Sequence, residues 1–140
     1  MVKQLRYEDI AVGMEIPSLV KHPTTRQLVK WAGASGDYNE LHYDNEFAKK
    51  QGLPSVIVHG ALALSFVGQL VTDWMGKEGT LKKLGSNYKG MLLPGEDALC
   101  KGKVSRKEIR DGERYVECEV WVENPRGERT AAGVAGFTLP

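Results

Sequence analysis

Two stretches decide how this chain is read: AGASGDYNELHYD, residues 32–44, and VIVHGALALS, residues 56–65. The first packs Asp37, Asn39, His42 and Asp44 into eight residues. Serine, glycine, aspartate and asparagine favour turns by bonding their own backbone, so residues 35–43 read as a loop and not as a continued helix. The second stretch opens on His59 and Gly60 and runs on through small and apolar residues toward Met75. Ala61, Leu62, Ala63, Leu64, Phe66, Val67, Leu70 and Val71 fall on all sides of a helix. Residues 60–74 are therefore expected to form a helix buried on nearly every side. Gly76 and Gly79 stop it.

Working outward toward the N-terminus, residues 24–34 read as a helix. Thr24 is the N-cap, Gln27 completes a capping-box pattern, and Leu28, Trp31 and Ala32 recur at helical spacing. Gly33, and again Gly36, would end it. Asp44 is a good N-cap for a short helix through Phe47, Ala48 and Lys49, closed by Gly52. Residues 10–17 look like an edge segment or strand.

Toward the C-terminus the texture changes. Residues 80–93, 96–109, 113–123 and 128–139 are strand-like. They are separated by Pro94-Gly95, Asp111-Gly112 and Asn124-Pro125-Arg126-Gly127, turn signals at hairpin spacing. Val116, Cys118, Val120 and Val122 alternate with Tyr115, Glu117, Glu119 and Trp121, so one face is buried and the other at least partly exposed. The last strand is rich in small residues from Thr130 to Gly136, so another element must approach it closely. An antiparallel sheet with one apolar face needs a cover, and an all-apolar helix needs a wrapper. The fold class is α+β, a sheet curled around a central helix, in a single domain over residues 1–140.

Composition narrows the function. The 19 basic and 18 acidic residues leave a net charge of +1 and are spread along the chain, which gives no argument for nucleic acid. The opening residues are too polar for a signal peptide. The apolar run is too short and interrupted to span a membrane. The chain reads as cytoplasmic. Two cysteines, Cys100 and Cys118, flank the Asp111-Gly112 turn. In a simple hairpin position 118 faces 105, so two reduced thiols are expected. Histidines 22, 42 and 59 have no cysteine or histidine partners at ligand spacing, and no metal or cofactor is expected. Nor is there a glycine-rich phosphate loop or a serine nucleophile elbow.

Asp37 and His42 lie five apart in a loop, where a carboxylate and an imidazole brought together can do general acid–base work. The plainer alternative is an aspartate capping a turn beside a satisfied loop histidine. Asn39 is first a backbone-bonding residue, and second a group that could orient water or substrate. The Gly60 N–H, at the positive end of a long helix, can polarise a carbonyl oxygen. Taken alone it is an ordinary helix start. His59 reads as structural.

Residues 34–44, ASGDYNELHYD, resemble the signature Ser-Gly-Asp-x-Asn-Pro-(aliphatic)-His of the MaoC-like, (R)-specific enoyl-thioester hydratases and dehydratases. Residues 52–62, GLPSVIVHGAL, resemble that family's second block. The chain is similar to the short single-hotdog proteins, among them the actinobacterial (3R)-hydroxyacyl-carrier-protein dehydratase subunits. The resemblance implies a hotdog fold and a dimer with sheets joined edge to edge. It implies a catalytic dyad of Asp37 and His42 and a Gly60 N–H on the thioester carbonyl. It also implies reversible hydration of trans-2-enoyl thioesters of coenzyme A or acyl carrier protein, without a cofactor. Glu40 stands where the family has proline; it loosens the loop and adds a charge near His42 that would raise its pKa.

Two other readings compete. A supporting acyl-binding hotdog subunit, paired with a different hotdog chain, would be expected to lack the dyad, which this chain keeps. A hotdog thioesterase would need a carboxylate near the central helix. Residues 60–72 offer none, and Asp73 lies at the far end.

Overall fold

The computed structural model describes residues 3–140; the first two residues of the N-terminal segment lie outside that range. Five strands form one antiparallel sheet: β1 (Glu15–Lys21), β2 (Thr80–Tyr88), β3 (Ala98–Arg110), β4 (Glu113–Glu123) and β5 (Arg129–Leu139), in the order β1-β3-β4-β5-β2. Three helices lie between β1 and β2: α1 (Thr25–Ser35), α2 (Asn45–Lys50) and α3 (Gly60–Met75). The α+β fold read from the sequence is the one observed, with α3 packed on all five strands.

Caps mark the helices where the sequence placed them. Thr24 Oγ1 accepts from the Gln27 N–H at 3.2 Å, and Asp44 Oδ1 from the Phe47 N–H at 3.1 Å. Gly36 ends α1 in the left-handed region at φ +79°, whereas Gly33 sits inside the helix, so only one of the two expected stops acts.

The core lies between α3 and the inner sheet face. Leu62, Phe66, Val67, Leu70 and Val71 meet Val104, Val116, Cys118, Val120, Val122 and Phe137, all buried. The helix is less covered than the burial on nearly every side that the sequence suggested. Ala61, Ser65, Gln69 and Thr72, at helical spacing, form an exposed stripe, because a curled sheet covers a helix on one side only.

The strand boundaries also differ at places. The first strand starts at Glu15, after a 3-10 turn at Tyr7–Asp9, and the second stops at Tyr88. The β3–β4 hairpin turns at Asp111 and Gly112, both at positive φ. Ser105 bulges out between Val104 and Arg106, so Cys118 lies opposite Val104 instead of 105. Cys100 lies opposite Val122; both thiols are free, and burial raises each to about 12. Among the described residues no helix is long and apolar enough to cross a membrane.

Candidate active site

The loop between α1 and α2 is built by its own side chains. Ser35 Oγ accepts from the Asp37 N–H at 3.1 Å, Asp37 Oδ1 from the Asn39 N–H at 3.3 Å, and Asn39 Oδ1 from the Leu41 N–H at 3.0 Å. Each is a short side-chain-to-backbone bond of the kind that replaces helix by turn. The ladder delivers the chain into a 3-10 turn, Glu40–His42. Asp37 spends one carboxylate oxygen on the loop. The other, Oδ2, faces His42 Nε2 at 3.8 Å.

His42 is held from its far side. Its Nδ1 lies 2.7 Å from the Ile57 carbonyl. A carbonyl oxygen only accepts, so Nδ1 carries the proton and Nε2 is a bare acceptor in the neutral ring. The Ile57 N–H in turn donates to the Leu41 carbonyl at 3.0 Å, which zips the second sequence stretch onto the first. His42 is nearly covered, with 11% of its side chain exposed, against 50% for Asp37. Glu40 opens the turn with its side chain in solvent.

Sequence reasoning missed His59 as a member of this cluster. It is fully buried, and its ring stacks on that of His42 with centroids 3.8 Å apart and planes 20° from parallel. Its Nε2 lies 3.3 Å from the Asp37 carbonyl, and Trp31 flanks the ring at 6.4 Å. Burial pushes its pKa below the ordinary 6.5, and the neighbouring His42 pushes the same way; the Asp37 carbonyl and carboxylate oppose them. Nothing in spacing signals this contact; only adjacency to Gly60 hints at it.

Ligand atoms of Asp37, His42 and His59 lie within 4.8 Å of one another, although sequence spacing gave these histidines no partners. The donor set does not suit a metal ion. Lone pairs of nearly parallel, face-to-face imidazoles run side by side in their ring planes, and cannot converge on a point between the rings.

Gly60 is the first residue of α3. His59, at the N-cap, makes no side-chain capping bond, because its ring is turned inward onto His42. The Gly60 N–H meets no acceptor among the described residues. It borders a cavity of about 230 Å3 with His42, Ile57, Val58, Ala63 and Tyr88 among its walls. The structure thus brings Asp37, His42 and Gly60 into one neighbourhood. Asn39 stays apart: its side chain caps the 3-10 turn and borders a separate hollow with Phe47 and Leu53. A larger groove, about 520 Å3, runs between β1 and the C-terminal end of α3 and includes none of these residues.

Similarity to known proteins identifies the family and the fold. Residues 11–124 match the family described as MaoC like domain. The fatty acid synthase subunit beta of Aspergillus oryzae is 31% identical over 117 residues, 73% of this chain and 6% of that protein. The peroxisomal enoyl-CoA hydratase 2 of Arabidopsis thaliana is 38% identical over 67 residues, 46% of this chain and 22% of that protein. The chain therefore spans only a small part of these relatives. Among solved structures, the (R)-hydratase from A. caviae involved in PHA biosynthesis superposes with a TM-score of 0.84 at 25% identity, over 95% of this chain and 99% of that one. With a family match over most of its length and a hotdog-fold (R)-hydratase as a full-length structural neighbour, this chain belongs to the MaoC-like domain family.

Proposed function

We propose that the chain catalyses reversible hydration of trans-2-enoyl thioesters to (R)-3-hydroxyacyl thioesters, with Asp37 and His42 handling the water. The observation that carries this reading is the 3.8 Å separation of Asp37 Oδ2 and His42 Nε2. That is too long for a direct hydrogen bond, and both atoms are acceptors when the ring is neutral. A water donating one O–H to each at about 2.8 Å subtends roughly 85° at its oxygen, narrower than its own angle but within reach of slightly bent hydrogen bonds.

The Gly60 N–H, reinforced by the positive end of α3, receives the thioester carbonyl oxygen. Charge that develops on this oxygen as water adds to the β-carbon is stabilised in the transition state more than in the ground state. The Asp37–His42 pair takes the proton that water gives up, and one proton returns to the α-carbon. The net change is addition of H and OH across the double bond, with no electron transfer, so the chemistry calls on no redox cofactor. The acyl group is carried on coenzyme A or an acyl carrier protein. The outer edge of β2 is where a second copy would extend the sheet, giving a homodimer.

The test is loss of enoyl absorbance with crotonyl-coenzyme A, followed by chiral analysis of the product. Formation of the (R)-alcohol supports the reading. An (S) product, or no hydration with any acyl length on either carrier, overturns it.

A further inference from the structure

We propose that His59 is the positioning residue of this site, holding Asp37 and His42 at the separation that a bridging water requires. This inference rests on the hydratase reading for its kinetic consequence, but its geometry stands by itself. One ring touches both members of the pair: its face covers the His42 imidazole at 3.8 Å, and its Nε2 meets the Asp37 main-chain oxygen at 3.3 Å. Its own backbone leads directly into Gly60. The three groups that handle water and carbonyl are therefore referenced to a single buried side chain.

The two carbonyl contacts fix more than position. The Asp37 carbonyl can only accept, so His59 carries its proton on Nε2. The Ile57 carbonyl can only accept, so His42 carries its proton on Nδ1. The stacked rings are locked in opposite tautomers, and the His42 tautomer is the one that leaves Nε2 bare toward Asp37. His59 Nδ1 is then a buried lone pair with no partner among the described residues. A buried unsatisfied acceptor is a standing cost to the fold. A phenylalanine or leucine would fill the space without it, so retention of imidazole here answers to the Asp37 contact.

The experiment has two arms. Imidazole 15N spectra of the wild-type protein at pH 7.5 should show His59 as the Nε2–H tautomer and His42 as the Nδ1–H tautomer. The reverse assignment for either ring overturns the proposal, whatever the enzyme's activity. In the second arm, His59→Phe keeps a flat ring and removes the donor, while His59→Gln keeps a donor and removes the stack. Each should lower kcat for crotonyl-coenzyme A hydration by about 10²-fold, the scale of small misplacements in an active site. KM should stay within about threefold, because the thioester is not held by His59. Wild-type kcat in either folded variant overturns the proposal. If His59→Phe fails to fold, His59→Gln and the wild-type spectra still decide. If no enoyl thioester is hydrated at all, the hydratase reading falls, and the spectra still judge the positioning role.

Discussion

The ring of Tyr88 lies flat against Gly60. A β-carbon built on Gly60 would stand 2.9 Å from Tyr88 Cζ, inside van der Waals contact. Tyr88 is half exposed, at 52%, so its ring can swing outward. Gly60→Ala should therefore fold, with a melting temperature near that of wild type. The added methyl and the displaced ring crowd the cavity beside the Gly60 N–H, where the proposed reading puts the thioester carbonyl. Turnover should fall by tenfold or more, and the double variant Gly60→Ala/Tyr88→Ala should recover part of it. A double variant no better than the single would assign the loss to something other than this contact.

Asp37→Asn and His42→Ala should each lower hydration by roughly 10²-fold or more, the scale of general acid–base catalysis. Their double variant should lose little further, because on the proposed reading the two groups act on one water as a unit. Circular dichroism and thermal melts should match wild type for Asp37→Asn, whose side chain is half exposed. Near-wild-type turnover in either single variant removes the dyad.

The legible parts of this chain were the local ones. Thr24 and Asp44 cap helices through bonds three residues long, so the sequence shows them directly. The small residues of β5 signalled a close neighbour, and β2 lies against them. The loop around Asp37 was readable because its ladder spans two residues at a time. Long-range matters were hidden. His59 reaches the Asp37 carbonyl across 22 residues, and Gln4 reaches Met75 across 71. The expected 118–105 register failed because Ser105 leaves the ladder, an adjustment of sheet curvature that no local pattern encodes.

Stability should depend on pH through His59. Its folded pKa is depressed, by burial first and by His42 second. Below the ordinary value of 6.5 the unfolded chain takes up a proton that folded His59 refuses. The contribution from this group is complete above that value and is lost as pH falls through it toward the folded pKa. Urea denaturation at pH 7.5 and pH 5.5 should show wild type weakening on acidification more than His59→Gln does. Equal weakening in the two proteins would mean that His59 is not held neutral.

Gln4 closes the far end of α3. Its Nε2 donates to the Met75 carbonyl at 2.7 Å and to the Leu5 carbonyl at 2.9 Å, and its Oε1 accepts from the Glu78 N–H at 3.0 Å. Helix C-termini leave carbonyls without partners, and a partly buried amide serves here as the cap. Gln4→Ala should cost about 1–2 kcal/mol by the usual worth of such bonds. It should leave hydration kinetics unchanged, since Gln4 borders the groove at the opposite end of the helix. A loss of activity at unchanged stability would contradict that separation.

Gly133 should be the least replaceable small residue of β5. It pairs with Ser86 of β2 and with Val120 of β4, in the middle of the sheet. A β-carbon there would run into the Gly85 carbonyl and stand 2.6 Å from Ser86 Cα, both backbone atoms that cannot rotate aside. The alternative is to push β2 off β5, which breaks the ladder that carries Tyr88 to Gly60. Gly136 makes a useful contrast, because a β-carbon there meets the hydroxyl and ring edge of Tyr115, a side chain held by its bond to Glu117 Oε2 and not a backbone strand. Gly133→Ala should therefore cost more than Gly136→Ala, by about 1–3 kcal/mol on the scale of overpacked sites. Urea denaturation of the two variants measures the difference directly. Equal stabilities would mean that β2 gives way as easily as a side chain, and that the wall beside Gly60 is softer than the packing requires.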